Sequence, residues 1–299
     1  MPLAPLTTLL ADARARGYAL GYFEAWDGSS FEAVVEAAEA ERAPAIIGAG
    51  CLLGHQPWFD GGGIEVLGAI GSEVARSARV PLALLLNETH TLEQSLRGLD
   101  AGFNAVMMHT AQLDHAEAVA TIRQLVAAAH ARGAAVEAEL GNLPDAAQGG
   151  AIDDSAASLT DPDEAASFVE ATGVDCLAVS VGNVHLLAHE NAVIDFGRLR
   201  AVHERVPVPL VIHGATGFPC ADIAPAIAAG VAKFNVGTAV RSAFLRGLTH
   251  AVADLPAEPD VHAVIGSHAP ADVLEAGKTA MVEVVRNLIR QYGGVGRAA

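Results

Sequence analysis

Short apolar runs alternate with amphipathic stretches along the whole chain. Each apolar run is rich in β-branched and aliphatic residues, whereas the stretches between them repeat apolar positions at helical spacing. Strands are predicted at residues 19–23, 45–47, 82–86, 105–108, 135–140, 176–181, 210–212 and 231–235. Helices are predicted between them, for example at 31–41, 92–101, 115–132, 162–172, 196–205 and 221–229. The pattern therefore indicates eight βα units.

The predicted strands are apolar on both faces, as in a parallel sheet that is covered by helices. Eight such units in about 250 residues favour a closed (β/α)₈ TIM barrel over an open doubly wound sheet. No Gly-x-Gly-x-x-Gly follows the first strand, which argues against a dinucleotide-binding fold. We predict a single domain over residues 1–299, with an additional long C-terminal helix at 269–292.

Two segments interrupt the βα alternation. Residues 48–63 are rich in glycine, and residues 141–158 form a polar stretch that carries Asp145, Asp153 and Asp154. Long loops in a compact barrel are typically lids or walls of the active site, with disorder as the alternative.

Composition limits the choice of partner and compartment. No apolar run reaches the roughly 18 residues of a membrane span, and the first 16 residues carry charges where a signal peptide is apolar. We therefore expect a soluble cytoplasmic protein. The formal net charge of −17 argues against binding to nucleic acid or to acidic membranes. Cys51, Cys176 and Cys220 are expected to be reduced thiols in apolar packing.

Polar residues that could carry chemistry collect at the carboxyl ends of the predicted strands, the functional face of a TIM barrel. They are Glu24, Asn87, Glu88, His90, His109, Glu139, Asn183, His185, His213, Asn235 and Thr238. A lone histidine there is often structural, but imidazoles and carboxylates on several strand ends match the ligands of a zinc-like ion. His185 and His213 are the strongest metal candidates. Glu88 and His109 compete to complete the shell.

Glu139 lies on a central predicted strand, where a buried carboxylate needs a partner. A bound cation would satisfy it. The alternative is an internal salt bridge with Lys233 or Arg241.

The loops after the last two predicted strands form a candidate anion site. Gly214 and Thr216 come from one loop, whereas Asn235, Gly237 and Thr238 come from the other. Backbone N–H groups and hydroxyls at a helix N-terminus can bind a phosphate without positive side chains.

Ordered motifs along nearly the whole chain resemble the class II, metal-dependent ketose-bisphosphate aldolases of the fructose- and tagatose-bisphosphate type. The matching motifs lie at residues 1–3, 17–21, 100–103, 129–133, 137–141, 160–162, 172–175, 213–217 and 230–236. The resemblance implies a divalent metal, with Zn²⁺ first and Mn²⁺ or Co²⁺ as alternatives. It also implies a small ketose phosphate as substrate and a homodimer or homotetramer.

The resemblance also implies roles for individual residues. His185 and His213 match two of the three zinc histidines, and Arg241 resembles the arginine that reaches the far end of the substrate. In the family, the metal polarises the ketose carbonyl and stabilises an enediolate. The residues that match the dihydroxyacetone-phosphate site are Gly182, Gly214, Thr216, Asn235 and Thr238.

The active-site motif departs from the family. The family motif His-Leu-Asp-His-Gly aligns with residues 85–89 of this chain. Asn87 therefore replaces the family's catalytic aspartate, and Glu88 replaces its third zinc histidine. His109 stands where the family has an acidic residue, as if a histidine and a carboxylate had been exchanged between neighbouring strands. Glu24 replaces an asparagine, and Gly237 replaces an aspartate.

These residues predict a metal-dependent aldolase that acts on a ketose phosphate or related hydroxy-ketone other than ordinary fructose bisphosphate. Proton transfer is expected to fall to Glu88, His90 or an aspartate of 141–158, since an amide exchanges no proton. A non-catalytic sugar-phosphate-binding paralogue and another metal-assisted reaction, epimerisation or hydrolysis, are the alternatives. The predicted catalytic set is Asn87, Glu88, His90 and Glu139, and the predicted substrate-binding set is Glu24, Gly182, Gly214, Thr216, Asn235, Thr238 and Arg241.

Overall fold

Eight parallel strands close into a barrel in the computed structural model, which describes residues 3–143, 145–146, 152–153, 158–184 and 192–298. The barrel strands are β1 (Leu20–Glu24), β2 (Ala45–Gly50), β3 (Leu82–Thr89), β4 (Ala105–Met108), β5 (Ala135–Leu140), β8 (Cys176–Val179), β9 (Leu210–Ile212) and β10 (Val231–Val236). They follow one another around the barrel in chain order, and β10 pairs with β1. The predicted TIM barrel is confirmed.

Helices connect successive strands, mostly at the predicted positions. The helices are α1 (Leu6–Arg16), α2 (Gly28–Glu41), α3 (Gln56–Trp58), α4 (Ile64–Ser77), α5 (Leu92–Asp100), α6 (His115–His130), α7 (Pro162–Thr172), α8 (Phe196–Arg205), α9 (Cys220–Ala228), α10 (Thr238–Ala253), α11 (Val261–Val264) and α12 (Val273–Gln291). The C-terminal helix α12 starts later than predicted because the Asp272 side chain caps it by accepting from the N–H of Leu274. Within the described residues, no helix has both the length and the apolar character needed to cross a membrane.

The two interrupting segments contain more regular structure than the sequence predicted. In the glycine-rich segment, β2 runs on to Gly50, and α3 and a π-helical turn at Phe59–Gly63 lead into α4. In the polar segment, the short strands β6 (Asp145–Ala146) and β7 (Ile152–Asp153) pair antiparallel. Asp154 lies outside the described residues. Both segments were predicted as loops because elements of two to five residues are too short to show a period in the sequence.

The barrel interior is filled by alternate residues of each strand, as the two-residue period of a strand requires. Leu20, Tyr22, Leu85, Met107 and Val211 belong to this inner cluster, and the apolar residues of α1 join it. The sequence analysis did not predict α1. These apolar side chains fill the layers next to α1, whereas charged and polar side chains lie farther along the strands, toward their carboxyl ends.

The three cysteines are free, and two of them match the prediction. Cys51 and Cys176 are buried, whereas Cys220 is exposed. The prediction that Cys220 packs among apolar residues was wrong, because this residue begins α9 and is exposed to solvent.

An ion-pair network attaches α12 to the barrel. The buried carboxylate of Glu41, at the end of α2, accepts from Arg286 at 2.8 Å and from Arg290 at 2.5 Å. Burial alone would raise the pKa of Glu41, but the two guanidinium groups lower it below its ordinary value. The pairing therefore stabilises the fold at pH values above the pKa that Glu41 has in the unfolded chain. This stabilisation is lost as the pH falls through the lower pKa of Glu41 in the folded protein.

We expect Glu41→Gln to lower the free energy of unfolding at pH 7 by about 1 kcal/mol, since both arginines are partly solvated. The loss should shrink as the pH falls below about 4, where wild-type Glu41 also becomes neutral. Urea unfolding at several pH values measures it. Glu283→Gln is the control, because Glu283 also pairs with Arg286 but is exposed. An equal loss for Glu41→Gln at all pH values would contradict the assignment.

Candidate active site

A cavity of about 370 Å³ opens at the carboxyl ends of the barrel strands. This is the face where the sequence analysis placed the functional residues. Residues that line it are Tyr22, Glu24, Gly50, Leu52, Leu53, Gly54, Asn87, Glu88, His213, Gly214, Thr216, Asn235, Gly237, Thr238 and Arg241. Its described wall thus contains most of the predicted substrate-binding residues.

A β-bulge at the end of β3 directs two consecutive side chains toward the cavity. Leu86 pairs with Val106 and Thr89 pairs with Met108, so β3 has one residue more than β4 over this interval. Glu88 takes up the extra length with a positive φ of 56°. Such a backbone costs a non-glycine residue about 1–3 kcal/mol, which is typical of functional positions. The bulge lets Asn87 and Glu88 both line the cavity.

His213 is the centre of the polar cluster and is 2% exposed. Its Nε2 lies 2.8 Å from Oε1 of Glu137, and the other oxygen of Glu137 lies 2.6 Å from Nζ of Lys233. Both partners are fully buried. Because Glu137 takes up Nε2, the ring presents Nδ1 to the side of Glu88 and Glu139, whose carboxylate oxygens lie 3.5 and 3.2 Å away.

The charges of this cluster shift its pKa values strongly. Burial would raise the pKa of Glu137, but the Lys233 ammonium and the His213 hydrogen bond lower it to about 2. Burial would lower the pKa of His213, but the hydrogen bond to Glu137, followed by the carboxylates of Glu88 and Glu139, raises it to about 10. Three carboxylates thus surround one imidazole and one ammonium, and the site favours an added positive charge.

Glu139 carries a buried oxygen that lacks a hydrogen bond. Its Oε2 accepts none within the described residues, although Nδ1 of His213 lies 3.2 Å away. The alternative salt bridge of Glu139 with Lys233 or Arg241 is absent there, because Lys233 pairs with Glu137 and Arg241 with Glu24. An imidazole nitrogen and carboxylate oxygens on one side of His213 form a donor set that fits a divalent cation.

Sequence reasoning assigned no role to Glu137 and considered Lys233 only as a possible partner of Glu139. The signal was present, since Glu137 is two residues from Glu139 on the same face of β5, and Lys233 interrupts an apolar strand. A charge in such a strand needs a partner. The pairing itself joins strands far apart in sequence, and only the fold shows it.

A second ion pair forms one wall of the cavity. The guanidinium of Arg241 donates to both carboxylate oxygens of Glu24, at 2.8 and 3.2 Å, and lies 4.6 Å from the ring centre of Trp26. The carboxylate of Glu24 occupies space beside Gly50 and Gly237, where a Cβ atom at either glycine would clash with it. The loss of a side chain at 237 thus makes room for the carboxylate from β1.

The two loops of the candidate anion site are joined. Thr216 Oγ1 accepts from the N–H of Ala239, in the first turn of α10, at 3.1 Å. Gly214 has a positive φ of 67°, which glycine adopts without strain. The N-cap residue of α10, Gly237, has no side chain to accept from the first-turn N–H groups, and of these the N–H of Ala239 is taken by Thr216. Gly237 and Thr238 both line the cavity, so the start of α10 lies where a phosphate was predicted.

The remaining predicted residues are placed as follows. His185 lies outside the described residues, so its metal role stays a prediction. The ring of His90 contacts the carbonyl of Leu52 at 3.2 Å. The ring of His109 makes no hydrogen bond or ion pair within the described chain, and neither His109, His90 nor Gly182 lines the described cavity. Their predicted roles stay predictions.

Comparisons with known proteins concern the whole chain and its fold. The sequence profile of the family "Fructose-bisphosphate aldolase class-II" matches residues 4–297. The structure of the YdjI aldolase from Escherichia coli K12 is 28% identical, with a TM-score of 0.80 over 99% of this chain and 100% of that one. A candidate fructose-1,6-bisphosphate aldolase from Coccidioides immitis is 29% identical, with a TM-score of 0.82 over 98% and 97%. A fructose-bisphosphate aldolase from Campylobacter jejuni, at 19% identity and a TM-score of 0.78 over 99% and 97%, shares the fold.

Proposed function

Because the chain belongs to the class-II fructose-bisphosphate aldolase family, we propose that it is a divalent-metal-dependent aldolase acting on a small ketose phosphate or related hydroxy-ketone. Its family and structural neighbours are aldolases, which are carbon–carbon lyases. The observation that carries the proposal is the orientation of His213. Glu137 fixes Nε2, so that Nδ1 faces two carboxylates, one of which has an oxygen without a hydrogen bond.

Zn²⁺ fits this mixed nitrogen and oxygen donor set, and Mn²⁺ or Co²⁺ would also be accepted. His213, Glu139 and Glu88 would hold the ion, together with His185 by family resemblance. A bound divalent cation supplies Lewis-acid polarisation of the ketose carbonyl. When the ion is bound, Nε2 would keep its proton for the hydrogen bond to Glu137, and Nδ1 would be the nitrogen that holds the ion, as with carboxylates behind other metal-binding histidines.

The protein's own groups position the substrate and handle its protons. The loops at Gly214 and Thr238 would seat the phosphate at the N-terminus of α10. Asn87 cannot exchange a proton, but its Nδ2 donates to Oε2 of Glu88 at 2.8 Å and thereby orients that carboxylate. Glu88 is therefore our candidate for the group that accepts a substrate proton.

Glu24 and Arg241 would contact the end of the substrate opposite the phosphate site. Arg241 is the one lysine or arginine in the described cavity wall, and the two-pronged ion pair with Glu24 already neutralises it. A second phosphate there would meet the carboxylate of Glu24. This arrangement favours a substrate with one anionic end and a hydroxylated end over a ketose bisphosphate.

A coupled aldolase assay with zinc, comparing fructose 1-phosphate with fructose 1,6-bisphosphate, tests the proposal. We expect wild type to cleave the monophosphate with the higher kcat/KM. Glu24→Gln should raise the relative kcat/KM of the bisphosphate about tenfold, because it removes a like charge worth roughly 1.4 kcal/mol and frees Arg241. Glu39→Gln, which breaks the remote surface pair with Arg79, should leave the ratio unchanged. Preference of wild type for the bisphosphate would contradict the proposal.

A second candidate function is a sugar-phosphate-binding protein without turnover. Asn87 favours it, because an amide stands where the family has its catalytic acid. Saturable binding of these ketose phosphates to zinc-loaded protein, without any cleavage, would select this function.

A further inference from the structure

The hydroxyl of Tyr22 is a buried polar group with which no described residue makes a hydrogen bond. Tyr22 is 2% exposed, and its hydroxyl oxygen has no hydrogen bond within the described residues. The residue nevertheless lines the cavity. Buried hydroxyls in proteins are nearly always hydrogen-bonded, so an orphaned one at a cavity wall indicates a partner that a ligand supplies. The sequence analysis assigned Tyr22 no role.

Tyr22 faces the barrel interior at the wall of the cavity. It is an inward residue of β1 and pairs with Ile46 on one side and with Asn235 on the other. Asn235 lines the same cavity, as do Gly50 on β2 and Glu24, whose carboxylate lies beside Gly50. Tyr22 therefore shares the cavity wall with the predicted substrate-binding residues.

The charges around Tyr22 keep its hydroxyl protonated. Burial, followed by the nearby carboxylates of Glu24 and Glu88, raises the pKa of Tyr22 well above its ordinary value. The ammonium of Lys233 lies 5.1 Å from the ring centre and contacts its face rather than its oxygen. In the working enzyme the hydroxyl is thus a hydrogen-bond donor.

We propose that the Tyr22 hydroxyl donates a hydrogen bond to the substrate oxygen on the carbon that leaves as the aldehyde. This inference rests on the proposed aldolase function. Negative charge develops on that oxygen while the carbon–carbon bond breaks or forms, and a donor placed beforehand stabilises it. Tyr22 keeps its proton throughout. It supplies the hydrogen bond that a carboxylic acid at position 87 would otherwise give.

Tyr22→Phe tests this directly, because phenylalanine keeps the ring and removes the oxygen. We expect the Kd of zinc-loaded protein for fructose 1-phosphate, measured by calorimetry, to rise about tenfold. We expect kcat to fall about 100-fold, as for loss of one oxyanion donor. The melting temperature should stay unchanged or rise, since the hydroxyl makes no hydrogen bond to the described part of the chain.

Tyr18→Phe is the matched control. Tyr18 is equally buried, but its hydroxyl donates to Asp12 at 2.8 Å. This change should lower the melting temperature and leave Kd and kcat unchanged. A Kd for Tyr22→Phe within twofold of wild type, or a melting temperature lowered as in Tyr18→Phe, would overturn the inference. If wild type binds fructose 1-phosphate without cleaving it, the proposed reaction fails, while the Kd comparison still decides the role of Tyr22.

Discussion

His213→Ala is expected to lower the affinity of the protein for zinc by more than about 100-fold. This exceeds the effect of removing a residue that only hydrogen-bonds to a metal ligand. The reason is geometric, since His213 is the described residue whose Nδ1 faces both Glu88 and Glu139. Ketose-phosphate cleavage should fall below detection in the same variant. Calorimetric titration of zinc into chelator-treated protein measures the affinity, and the coupled assay measures cleavage.

His115→Ala is the matched control. His115 also lies near a carboxylate, that of Glu164, but both side chains are exposed to solvent. It should bind zinc as wild type does. Retention of zinc affinity within threefold by His213→Ala would show that the ion is held elsewhere.

Lys233→Met is expected to destabilise the protein by about 3–5 kcal/mol, the usual cost of leaving one partner of a buried ion pair uncompensated. Lys233 and Glu137 are fully buried, and Lys233 also donates to Asn235. Urea unfolding measures the loss. Cleavage should fall as well, because Glu137 would then no longer hold His213 in a fixed orientation.

The double variant Lys233→Met, Glu137→Leu should recover part of that stability, since it leaves no buried charge behind. Arg132→Met is the control, because its pair with Asp100 is exposed, and it should cost less than about 1 kcal/mol. A loss for Lys233→Met as small as that of the control would contradict the assigned role of the pair.

The barrel could be predicted because each strand and most helices have a period that is local in the sequence. The predicted helix boundaries differ from the observed ones where a capping side chain sets the start of the helix, as Asp272 does for α12. Helix α1 could not be predicted in the same way because it begins after Pro5 without a side-chain cap, and its buried leucines pack against inner strand residues that are distant in sequence.

The site was predicted in its residue types but not in its pairings. His213, Glu88 and Glu24 were found because polar residues at strand ends stand out from apolar strands. The pairs of Glu137 with Lys233 and of Glu24 with Arg241 join different elements and leave no local signal. The bulge at Glu88 was hidden for the same reason, since it exists only relative to the partner strand.

The location of a bound zinc ion tests the central claim most directly. Anomalous diffraction at the zinc edge, on crystals of zinc-loaded protein, should give a peak within coordination distance of Nδ1 of His213 and of an oxygen of Glu139 or Glu88. Within the described residues, Glu32, His268 and Glu275 are the group whose potential ligand atoms all lie within 4.8 Å of one another, so they form the competing site. A peak there, or none beside His213, would contradict the account.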